Sequence, residues 1–75
     1  MGSKYPVLPP NKIIKALEKV GFSKISQRGS HVKFKNKTTP QRTVIIPMHT
    51  EIAKGTLKSI LEQADITLDD FLELL

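Results

Sequence analysis

Gly29-Ser30-His31 opens the alternating run Val32-Lys33-Phe34-Lys35, which sets an imidazole just past a glycine turn. If the run is a strand, successive side chains point to opposite faces. His31, Lys33 and Lys35 then share one face, and Val32 and Phe34 the other. An imidazole among cations suits cleavage of an RNA phosphodiester, whose own 2′-hydroxyl is the nucleophile. The reaction needs a base for that proton, a cation for the crowded phosphorane and an acid for the departing 5′-oxygen. Imidazole titrates near neutrality and suits the proton-transfer roles. Lys33 and Lys35 are candidates to neutralise phosphate, with Arg28 and Arg42 approaching from neighbouring strands. Gly29 permits close backbone approach, and Ser30 offers a hydroxyl or amide to a non-bridging oxygen. His49, just beyond Pro47-Met48, is a second histidine that would share the proton transfers if strand register brings it to His31. The competing interpretation is plain turn chemistry at Gly29-Ser30, with His31 an exposed strand residue and His49 a structural loop histidine.

Other chemistries are poorly supplied. The chain has no Cys, which removes disulfides and thiolate metal sites and fits a reducing, cytoplasmic compartment. Five of the seven acids lie in the last 17 residues, and no His/Asp/Glu cluster has metal-ligand spacing, so neither a metal nor a cofactor is expected. Ser30 and His31 are adjacent in the expected strand region and would point apart, which disfavours a nucleophilic dyad. No glycine-rich phosphate loop occurs. Tyr5, Phe22, Phe34 and Phe71 occupy terminal or core-type positions, so platforms for base stacking are few.

Charge separates along the chain. Residues 1–58 hold all twelve Lys and Arg against two acids, Glu18 and Glu51, a net of +10; residues 59–75 carry −5. A basic body points to a polyanionic partner, most often nucleic acid. No apolar run approaches the roughly 20 residues that span a bilayer, so no membrane partner is expected. No secretory signal pattern opens the chain.

Seventy-five residues suffice for one small domain. Pro6, Pro9 and Pro10 predict an extended segment over 1–10, and the domain is expected over 11–75. Asn11 reads as an N-cap. Ile13, Ile14, Leu17 and Val20 follow at helical spacing, and Gly21 is a C′ glycine. Strands are predicted over Ser23–Arg28, His31–Lys35 and Arg42–Ile46, the first two as a hairpin, with a polar loop over Asn36–Gln41. Val44 and Ile46 should face the helices and Ile45 the open side. Met48 to Lys54 reads as a loop. Leu57, Ile60, Leu61 and Ala64 mark a second helix. Thr67 caps a short third helix with Asp70 at N3, Ile66 and Phe71 as a hydrophobic staple, and Leu72 and Leu75 on its apolar stripe. The expected fold is α+β: an α-β-β-β-α two-layer sandwich, with helices on one face of a three-stranded antiparallel sheet and a short C-terminal helix.

Four ordered pieces carry a family resemblance: Lys15-Ala16-Leu17-Glu18-Lys19-Val20-Gly21-Phe22; Gln27-Arg28-Gly29-Ser30-His31 with Phe34; Val44-Ile45-Ile46-Pro47-Met48-His49; and Lys54-Gly55-Thr56-Leu57-Lys58-Ser59-Ile60-Leu61. Together they resemble the HicA (YcfA-like) family of toxin messenger-RNA interferases, from about Tyr5 to Leu75. The resemblance implies a fold similar to a double-stranded-RNA-binding domain and metal-independent RNA cleavage with His31 as the catalytic residue. It also implies an antitoxin of the HicB kind covering the active face. Asn36-Lys37-Thr38-Thr39-Pro40-Gln41 departs from the family's usual Pro-Asp-Gly-like hairpin, and His49 matches a recurrent histidine. The alternatives are a non-catalytic double-stranded-RNA-binding module of the same fold and charge, and a protein-interaction domain that binds through Ile45 on its open sheet face.

Overall fold

In the computed structural model, which describes residues 5–75, the order is α1 (Pro10–Lys19), β1 (Phe22–Arg28), β2 (His31–Asn36), β3 (Thr43–Pro47), α2 (Lys54–Ala64) and α3 (Leu68–Leu74). Met1-Gly2-Ser3 and the start of the expected extended segment lie outside the described residues. The strands form one antiparallel sheet in the order β1-β2-β3. Val32 and Phe34 of β2 and Val44 and Ile46 of β3 are buried with Ile13, Ala16 and Leu17 of α1 and Leu57, Ile60 and Leu61 of α2. One sheet face thus carries the core and the helices, and the other is open, as the expected two-layer α+β sandwich requires.

Local chemistry explains where each element begins and ends, and it corrects several details. The α1 cap is Pro9, not Asn11: Pro9 is extended, with no side-chain cap bond, and Pro10 occupies N1. Proline at N1 has a pre-set φ and lacks an amide that the helix could not use there. Gly21 does end the helix, at φ +97°, its amide donating to the Glu18 carbonyl at 3.1 Å. Val20 is 43% exposed, so the buried stripe is Ile13, Ala16 and Leu17 instead. Asp65 ends α2 in the left-handed region at φ 58°, and the Ile66 amide donates to the Leu61 carbonyl at 3.0 Å, the 6→1 bond of a Schellman ending. In α3, Thr67 Oγ1 accepts from the Asp70 amide at 3.1 Å, as its capping sequence predicts. Phe71 is fully buried, whereas Leu72 and Leu75 are exposed; Leu68 and Leu74 pack against the core in their place.

The segment between β3 and α2 is not a plain loop. Ile52 is in the core, and its amide donates to the Leu8 carbonyl at 2.8 Å in an isolated antiparallel bridge. The polar loop after β2 is organised by the buried Asn36. Its Oδ1 accepts from the Arg42 amide at 2.6 Å, and its Nδ2 donates to Thr38 Oγ1 and the Pro40 carbonyl, both at 3.3 Å. A side-chain amide thus does the work that a tight turn would do, and extends β2 by one residue.

Candidate active site

Register decides which side chains meet. Arg28 and His31 pair across the Gly29-Ser30 turn, where Gly29 takes φ +59° at the first central position, as in a type II′ turn. The space around Gly29 is open, so its backbone conformation, not crowding, calls for glycine. Gln27 Nε2 donates to the Gly29 carbonyl at 3.1 Å, and Lys24 Nζ donates to Gln27 Oε1 at 3.0 Å. On the other side, His31 pairs with Pro47 and Lys33 with Ile45. Paired residues share a face, so the open side carries three rungs: Arg28–His31–Pro47, Ser26–Lys33–Ile45 and Ser23–Lys35–Thr43.

The turn fixes the first of these rungs, and an irregularity in β1 reconciles it with the core. Phe22 and Arg28 are six residues apart, and strict alternation would put both on one face. Phe22 is nevertheless 5% exposed in the core while Arg28 is on the open side. The register shifts between Lys24 and Ser26, leaving Ile25 as an extra residue, 49% exposed. This bulge reverses parity within β1, which lets one strand anchor the core at one end and serve His31 at the other.

Ser26, Gln27, Arg28, His31, Lys33 and Ile45 line a depression of about 450 Å³ on the open face. None of the six is acidic. Among the described residues, Arg28 and Lys33 have no carboxylate partner and nothing hydrogen-bonds to the His31 ring. Two cations and an imidazole thus converge with their polar ends free. That arrangement suits an anion with a proton to move.

The remaining expected residues divide. Lys35 is on the same face, two positions beyond Lys33, and half-buried. Ser30 is exposed in the turn, and its carbonyl accepts from the Met48 amide at 2.6 Å. That bond holds the segment after β3 against the hairpin, so exposed His49 follows at the His31 end of the sheet. Arg42 lies elsewhere. Its carbonyl accepts from Asn36, five residues along β2 from His31 and so roughly 16 Å away at about 3.3 Å per residue. Its guanidinium pairs with Asp65 at 3.2 Å. Ser26 and Gln27 line the depression without having been expected there, and Ile45, expected on the open side, joins them. For Ser26 the signal was available: a seven-residue strand with a core residue at one end and a two-residue turn at the other demands a change of parity.

The charge asymmetry of the sequence is also spatial. Asp65, Asp70 and Glu73 gather beside Val20, Ile66 and Leu74 in a separate hollow. Lys19 Nζ donates to the Leu74 carbonyl at 2.7 Å, so the two charge domains meet at α1 and α3. Among the described residues no three His, Asp or Glu side chains gather as a metal-binding group, and no helix is long and apolar enough to cross a membrane.

The sequence model of one protein family, described as the HicA toxin of bacterial toxin-antitoxin, matches residues 10–66. No curated protein matches the chain.

Proposed function

The chain belongs to the HicA toxin family of bacterial toxin–antitoxin systems, and on that premise we propose that it is a metal-independent endoribonuclease that cuts messenger RNA and so blocks translation in the cytoplasm. The observation that carries this reading is the Arg28–His31–Pro47 and Ser26–Lys33–Ile45 pair of rungs, which sets one imidazole between two cations that have no carboxylate partner among the described residues, in a depression lined by no carboxylate. His31 takes the proton of the 2′-hydroxyl as O2′ bonds to phosphorus. The P–O5′ bond breaks, leaving a 2′,3′-cyclic phosphate and, once the 5′-oxygen is protonated, a 5′-hydroxyl. Arg28 and Lys33 stabilise the charge that gathers on the phosphorane. Gly29, Ser30 and Lys35 extend the phosphate contact, and exposed His49 is the candidate for the leaving-group proton. Arg42, held by Asp65, is outside this constellation and acts on RNA only at a distance, if the strand runs the length of the sheet. An antitoxin of the HicB kind would silence the toxin by covering the same open face.

Purified protein incubated with RNA should release fragments ending in 2′,3′-cyclic phosphate, at the same rate with and without excess EDTA. Full loss in EDTA would transfer the chemistry to a metal. Arg28→Ala and Lys33→Ala should each weaken RNA binding and lower the slope of log affinity against log salt by about 0.7, the increment for one single-strand phosphate contact. An unchanged slope would remove that residue from the phosphate. Stable RNA binding with no cleavage over hours would favour the non-catalytic binding module.

A further inference from the structure

The open face carries a second pattern that phosphate chemistry leaves unused. His31 and Lys33 on β2 stand opposite Pro47 and Ile45 on β3. Adjacent strands are about 4.8 Å apart, so a polar strip and an apolar strip run side by side. Ile45 is the one aliphatic residue among the six that line the depression. It is half-buried, and its amide donates to Gln63 Oε1 of α2 at 2.9 Å. That bond holds Ile45 in place and closes the edge of β3 to an added strand at this point. The depression therefore asks for an occupant with negative charge next to a flat apolar face. A nucleotide has both, and about 450 Å³ is within the range of small-ligand sites.

We propose that Ile45, flanked by Pro47, is the wall against which the nucleobase beside the cleaved bond packs, so that the site takes an unpaired RNA strand. The inference rests on the ribonuclease reading above and names its substrate class and a positioning residue. A duplex stacks its bases inside and presents phosphates and 2′-hydroxyls, which gives an aliphatic wall nothing to hold. Packing against Ile45 has no hydrogen-bond code, so the wall discriminates a base from no base rather than one base from another.

The test is fluorescence-anisotropy binding of the full chain to two 2′-O-methyl strands of equal length, one with bases and one abasic. Neither has the nucleophile, so neither is cut. The wild-type chain should hold the base-carrying strand about tenfold more tightly, the scale of one modest apolar contact. Ile45→Ser should erase that preference by weakening only the base-carrying complex, and Ile45→Val should keep it. Thermal melting of both variants checks that the fold is retained. Equal binding of the two strands by wild type overturns the wall while leaving the ribonuclease reading in place. Parallel weakening on both strands in Ile45→Ser, or no weakening with loss of antitoxin capture instead, also overturns it. Absence of binding to either strand removes the wall together with the reading beneath it.

Discussion

Replacing His31 with alanine is expected to lower RNA cleavage by about 10²–10⁴-fold while leaving the domain folded. The side chain is exposed on the open face, and among the described residues nothing hydrogen-bonds to its ring. Its removal therefore orphans no buried group and opens no cavity, so stability should stay within about 0.5 kcal/mol of wild type. Arg28 and Pro47 remain on the same rung, and RNA affinity should change far less than turnover. The measurement is single-turnover cleavage at saturating enzyme, with a melting curve on the same sample. In cells, induction of the variant should no longer arrest growth. Cleavage near the wild-type rate would end the assignment of His31, whereas loss of activity with loss of the melting transition would assign it a structural role.

Phe34→Ala should act in the opposite way, through the fold. Phe34 is 2% exposed, pairs with Val44 on β3 and belongs to the buried cluster shared with α1 and α2. Truncating a buried phenylalanine costs about 3–5 kcal/mol from lost transfer energy and the cavity left behind. A domain of this size has roughly 4–11 kcal/mol in all. The variant should therefore lose most of its stability, with a melting point lower by tens of degrees or no cooperative transition. Ile25→Ala in the neighbouring strand is the control. Its side chain is 49% exposed at the bulge, and the change should cost well under 1 kcal/mol. Urea unfolding of both variants measures the contrast, and similar midpoints would mean that the sheet face is assigned wrongly.

The two substitutions lie on strand elements that alternation alone identified, and this is where local sequence is most informative. In β2, Val32 and Phe34 alternate with His31, Lys33 and Lys35, so the faces of His31 and Phe34 follow from a period of two. Gly21 and Thr67 were legible for similar reasons, since helix ends need a positive φ or a side-chain acceptor within a few residues. Asn11 was misread because a capping residue competes with the prolines before it, and Pro9-Pro10 had already set the backbone. Val20, Leu72 and Leu75 were misread because periodicity gives a stripe but not its limits, which depend on how far the facing layer extends.

Element order, the two-layer class, the separation of basic body from acidic tail, and the face on which His31 and Lys33 stand are all legible in the chain read alone. Each of these is local or additive, set by spacing, composition or charge. Which residues of the neighbouring strands join His31 and Lys33 is set by pairing between strands. The one-residue shift at Ile25 lets Phe22 enter the core while Arg28 pairs with His31, pairing with β3 brings Pro47 and Ile45, and Asp65 holds Arg42 at the far end. Register is a contact between segments distant in the chain, and slipping it by one residue exchanges the faces of a strand. No stretch of β1 read alone reveals where its extra residue goes; the choice is made by Phe22 needing the core and the Gly29 turn fixing Arg28 opposite His31.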